Sequence, residues 1–96
     1  MFGSVFKVQL QPGAYDAVQE LLQREATERG HVPGFVRNLT LRESEDVLWV
    51  MAVFESEAEY RKNAADPEQD KWYRRLRAHL VADPEWHDGP IVEATG

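Results

Sequence analysis

From Phe2 to Leu10 the chain alternates, with Phe2, Ser4, Phe6, Val8 and Leu10 on one side of an extended backbone and Gly3, Val5, Lys7 and Gln9 on the other. That period of two predicts a strand, closed by the turn residues "QPG". From Ala14 to Arg29 the period changes. Ala14, Val18, Leu21 and Leu22 recur at helical spacing on a polar background, and Gly30 stands where a C-cap falls, so this stretch predicts an amphipathic helix. After a Pro-Gly turn, "VPGFVRNLTLR" returns to extended structure. "ESED" then makes a hairpin loop and "VLWVMAVF" an uninterrupted apolar strand.

The rest of the chain is punctuated by "ADPE", at Ala65 to Glu68 and again at Ala82 to Glu85. The similarity stops at the tetrapeptide, so this is no structural repeat. Ser56 with Glu59 forms a capping box that opens a short helix carrying Tyr60 and Ala64. At the first copy Asp66 serves as N-cap, Pro67 takes the first helical position, where its missing N–H costs nothing, and Gln69 completes a second capping box. At the second copy Pro84 turns Asp83 away from helical dihedrals. The spacing therefore predicts a helix from Pro67 to about Ala82, with Leu76 and Leu80 buried and Trp72, Tyr73 and His79 at its margins. "PIVEA", after "WHDG", is the last predicted strand.

The order strand, helix, strand, strand, helix, strand implies one domain over residues 1–96. It is a ferredoxin-like α+β sandwich, a four-stranded antiparallel sheet with its helices on one face. In "VLWVMAVF" both alternating sets are apolar, and the helices can cover only one of them. Trp49, Met51 and Val53, with Val5 beside them, therefore call for a cover from outside the chain, and a second copy packed face to face supplies it as a homodimer.

Composition removes several function classes. Hydrophobic residues make up 43% and charged residues 29% of the chain, as in soluble globular proteins. No apolar run approaches the ~18 residues of a membrane span and no leader-like start is present, so a cytoplasmic protein without a membrane partner is expected. The absence of cysteine excludes disulfides, thiolate zinc sites and thiol catalysis. A net charge of −6 opposes nucleic-acid binding, and Lys71, Arg74, Arg75 and Arg77 suit the C-terminal half of a helix instead. The glycines are isolated, and Ser4, Ser44 and Ser56 have no associated base, so neither a phosphate loop nor a hydrolase elbow is present. His79, Asp83 and His87 step by four, but Pro84 breaks the helical phase between them, and no metal is expected.

The turn "QPG", the opening "VPGF", the passage "VFESEAEY" and the stretch "ADPEQDKWYRRLRAHL" together resemble the antibiotic biosynthesis monooxygenase domain of the dimeric α+β barrel superfamily, over nearly the whole chain. The resemblance implies a homodimer with a pocket between sheet and helices. It also implies oxidation of an aromatic compound by molecular oxygen without a cofactor, or haem degradation in a related branch. At the three positions that branch uses, this sequence has Phe6, Asn63 and Tyr73, so neither haem nor another cofactor is expected. The residues available to hold a planar molecule are Tyr60 and Trp72 above Phe6 and Phe54. Asn63 and Trp72 could donate hydrogen bonds to a developing oxyanion, and Tyr73 or His79 could accept the substrate's proton. Only His79 has an ordinary pKa near neutrality. The same residues would also serve a non-catalytic module that binds a small aromatic metabolite, and Trp72 and Tyr73 could equally be plain core aromatics.

Overall fold

The computed structural model describes residues 1–96. Its elements are β1 (Phe2–Gln9), α1 (Tyr15–Glu28), β2 (Phe35–Ser44), β3 (Val47–Phe54), α2 (Glu57–Ala64), α3 (Pro67–Arg77) and β4 (Glu85–Pro90). The four strands form one sheet in the order β2-β3-β1-β4, and each neighbouring pair is antiparallel. This is the ferredoxin-like α+β fold expected from the order of elements.

The alternation in β1 decides which side of the sheet meets the helices. Phe6, Val8 and Leu10 join Leu48 and Val50 of β3, Val18 and Leu21 of α1, and Leu76 and Leu80 after them in one buried cluster of nine residues. Removing such side chains from water is worth roughly 1.5–3 kcal/mol each, which is why α1 and α3 settle on this face. The helix starts follow the expected residues but not every expected bond. Ser56 Oγ accepts from the Glu59 amide at 3.2 Å, and Asp66 Oδ1 accepts from the Glu68 amide at 2.9 Å behind Pro67. The Gln69 side chain, expected to complete a capping box, instead accepts from Arg29 Nη1 at 2.8 Å. At the end of α1, Gly30 takes φ +62, the left-handed C′ conformation its position predicted.

Two expected boundaries are corrected. The last helix stops at Arg77 and not near Ala82, because Arg77 turns back: its Nε donates to Asp83 Oδ1 at 2.6 Å and its Nη1 to the Leu80 carbonyl at 3.2 Å. Leu80 then pairs with Leu10, which fixes the exit of the chain. The last strand is Glu85–Pro90 and not "PIVEA". β1 aligns Trp86 opposite Phe6 and Asp88 opposite Ser4, and both matches reward this register: the Trp86 ring lies 4.2 Å from that of Phe6, and Ser4 Oγ donates to Asp88 Oδ1 at 2.5 Å. Tertiary pairing has overridden the stronger intrinsic β preference of the later segment.

The opposite sheet face carries Val5, Trp49 and Met51, joined by Leu39 and Leu41, which pair with Met51 and Trp49 and are 55% and 60% exposed. Val53 differs from the others, at 9% exposure. Its cross-strand neighbour Gly3 would, with a Cβ, meet Ile91 Cδ1 at 3.2 Å, so the segment after β4 folds over this end of the face. The cover expected from outside is supplied here by the chain itself.

Candidate functional site

The residues expected to form one pocket divide into three groups. Asn63 and Trp72 line a cavity of about 450 Å³ among the end of α1, the segment before β2, α2 and α3. Glu59 lies one helical turn before Asn63, so the two share a face of α2, and Trp72 approaches from α3. Three buried polar atoms here have no hydrogen-bond partner: Glu59 Oε2, Asn63 Oδ1 and Trp72 Nε1. Leaving such groups unpaired costs roughly 1–3 kcal/mol each, so their coincidence in one cavity marks a place where a ligand's polar atoms fit.

Arg29 forms the wall between α1 and α3. Its guanidinium donates to Glu25 Oε1 at 3.1 Å, Gln69 Oε1 at 2.8 Å and Asp66 Oδ2 at 3.2 Å. Burial pushes the Glu25 carboxyl above its ordinary value, against the opposing bond and charge of Arg29. Lys62 and Arg75 also face the cavity. The wall is thus more charged than the apolar pocket expected over Phe6 and Phe54.

Phe54 and Tyr60 belong to a second group. Their rings lie 5.6 Å apart, with Phe35 5.7 Å from Phe54 and Phe2 5.2 Å from Tyr60. The Tyr60 hydroxyl meets the Ser4 and Asp88 pair, and its pKa is raised, by burial first and by the Asp88 carboxylate, with the Ser4 hydrogen bond opposing. The third group joins Phe6 and Tyr73 through Trp86, whose ring is 5.8 Å from that of Tyr73. Tyr73 is also raised, chiefly by burial and then by Asp83, with Arg77 opposing.

His79 stands apart from all three. It sits in the turn after α3, where its carbonyl accepts from the Gln11 amide at 2.8 Å, and it does not line the cavity. Of the spaced trio considered for a metal, Asp83 is bonded to Arg77 and His87 lies on β4 with its Nε2 3.4 Å from Glu85 Oε1. Nowhere in the structure do three His, Cys, Asp or Glu side chains converge as ligands.

Sequence reasoning missed Glu59, Arg29 and Trp86 as neighbours of these groups. In the sequence Glu59 reads as a cap, although its spacing of four from Asn63 signals a shared face. Trp86 falls just before the expected strand "PIVEA", and so outside the expected sheet. On the opposite sheet face, Trp49 Nε1 donates to Glu43 Oε1 at 3.2 Å and Lys7 Nζ lies 5.5 Å from the Trp49 ring centroid.

The family model for antibiotic biosynthesis monooxygenase matches residues 1–75. No curated protein matches the chain. Among solved structures, SnoaB of Streptomyces nogalater, a cofactor-independent oxygenase, is 22% identical, with a TM-score of 0.82 over 97% of this chain and 94% of its own. A candidate antibiotic biosynthesis monooxygenase of Chloroflexus aurantiacus is 22% identical, with a TM-score of 0.79 over 99% of this chain and 96% of its own. One of Deinococcus radiodurans is 13% identical, with a TM-score of 0.83 over 100% of this chain and 97% of its own. These likenesses are of fold. No helix is long and apolar enough to cross a membrane.

Proposed function

Because the chain belongs to the antibiotic biosynthesis monooxygenase family, we propose that it is a homodimeric, cofactor-independent monooxygenase of a small aromatic or quinol-like molecule. The observation that carries this reading is the pair of unpartnered buried atoms Asn63 Oδ1 and Trp72 Nε1 in one cavity. A phenolic substrate complements both: its hydroxyl donates to the amide oxygen, its oxygen accepts from the indole N–H, and its ring stacks on Trp72. An electron-rich phenolate reacts with molecular oxygen more readily than the phenol does. A fixed N–H aimed at the developing oxyanion favours that state without reorganisation. The likeness to SnoaB, itself a cofactor-independent oxygenase, supports the reaction class.

The dimer rests on Val5, Leu39, Leu41, Trp49 and Met51, which together form an apolar surface on a sheet face without helices. A second copy packed sheet to sheet buries this patch, with Val53 at its margin under Ile91.

A non-catalytic binding module is the second reading, and two observations favour it. His79 lies outside the cavity, and Tyr73 holds its proton above the ordinary range. Oxygen uptake with a panel of anthrones and hydroquinones separates the two readings when measured for the wild type, Asn63→Ala and Trp72→Phe alongside melting temperatures. Turnover lost in both variants supports the enzyme. Compounds that raise the melting temperature without turnover support the binding module, and a panel that does neither overturns the cavity as a ligand site.

A further inference from the structure

We infer that Glu59 is the hydroxyl-recognising group of the cavity: its Oε2, together with Asn63 Oδ1, receives the O–H groups of a ligand bearing at least two phenolic hydroxyls. The inference rests on the aromatic-ligand reading above and names the ligand's substitution. Its first support is that Glu59 is positioned by backbone and not by a polar partner. Gly34 has φ +78, and a Cβ on it would run into Cβ and Cγ of Glu59, so the glutamate stem lies flat against the turn that leads into β2.

A second support is the bonds that Glu59 does not make. Ser56 Oγ caps the Glu59 amide, and in a reciprocal capping box the Glu59 carboxylate would reach back towards Ser56. It leaves Oε2 without any partner instead. None of the cations lining the cavity, Lys62 and Arg75 included, bonds this oxygen. Arg29 is held by Glu25, Asp66 and Gln69, and Lys71 is held by Glu68.

The donor and acceptor pattern then names the ligand class. Among the unpartnered buried atoms, two acceptors one turn apart on α2 face a single donor on α3. The complement is a planar molecule that offers two O–H donors and an oxygen acceptor, as a dihydroxylated aromatic does. A carboxylate partner makes one of those hydrogen bonds charge-assisted and so roughly twice as strong as a neutral one. It also draws the hydroxyl proton away from the ring oxygen, which raises the electron density of the ring.

A buried carboxylate oxygen left unpaired for a ligand, Glu59 Oε2, works against the stability of the free protein, so its removal has a signature that a structural residue would not show. The test compares hydroquinone with its dimethyl ether by calorimetry on the wild type, Glu59→Gln and Glu59→Leu, together with melting temperatures of the free proteins. The wild type is expected to prefer hydroquinone by about tenfold or more, as hydrogen bonds to a charged group imply. Glu59→Gln should reduce that preference to a few-fold, and Glu59→Leu should abolish it while raising the melting temperature of the free protein. Equal preference in the wild type and Glu59→Gln, or a lowered melting temperature in Glu59→Leu, overturns the assignment. If the wild type binds neither compound, the aromatic-ligand reading fails, and a raised melting temperature in Glu59→Leu then still supports a carboxylate held free for a hydroxylated ligand of another kind.

Discussion

Arg29 Nη2 lies 3.2 Å from Asp66 Oδ2, and this ion pair closes the end of α1 onto the residue that caps α3. The Arg29 side chain is only 13% exposed, while that of Asp66 is 41% exposed, so solvent weakens the pair itself. The larger effect comes from the three acceptors that Arg29 serves together. Arg29→Met should lower stability by about 1–3 kcal/mol in urea denaturation, because it leaves Glu25 and Gln69 without their donor. It should also weaken ligand binding by opening the cavity wall.

Gly34→Ala is expected to be more damaging than its size suggests. A left-handed backbone costs an L-residue roughly 1–2 kcal/mol, and here the added methyl also meets Glu59. A loss of about 2 kcal/mol or more in chemical denaturation, accompanied by loss of hydroquinone binding, is the expected result. A well-tolerated alanine would show that Glu59 is free to move.

Tyr60 and Tyr73 set an alkaline limit. Both pKa values are raised by burial, so the folded state holds these protons more tightly than the unfolded chain does. Their contribution is therefore fully present below the ordinary tyrosine value of about 10 and is lost as pH rises from there through the raised folded values. The melting temperature should fall above about pH 10, and Tyr60→Phe should flatten part of that fall. Spectrophotometric titration should show these two phenols ionising late.

Trp49→Glu tests the dimer. A charge forced against an apolar partner face costs several kcal/mol, so sedimentation should give a dimer for the wild type and a monomer or aggregate for the variant. A wild-type monomer at micromolar concentration would overturn the proposed pairing.

The fold was legible because its signals are local. The alternation in β1, the caps at Ser56 and Asp66 and the two-sided apolar strand β3 each specify an element from within ten residues or so. The candidate site was legible only in part, because it depends on how distant elements meet. Asn63 and Trp72 line one cavity, set among the helices and not over Phe6 and Phe54. Phe6, Phe54, Tyr60 and Tyr73, which look equivalent as helix-margin and strand aromatics, are divided by the sheet register between Trp86 on one side and Phe2 and Phe35 on the other. Nothing in the sequence of "WHDG" announces that Trp86 stacks on Phe6. Only its pairing with β1, in competition with a more strand-like neighbour, decides it.

Ser4 and Asp88 are 84 positions apart in the chain, and the strand that carries Ser4 pairs only with β3 and β4. β1 therefore gains one neighbour, β3, about halfway along these 96 residues, while its other edge waits for β4 near their end. Closing so long a loop before any contact rewards it is slow. Folding should accordingly be limited by the docking of β4, with the hairpin of β2 and β3 and the helix α1 forming earlier, and refolding should run well behind that of a helical bundle of the same length. In the cell, the β4-facing edge of β1 is the surface for which a chaperone would have the longest time to compete.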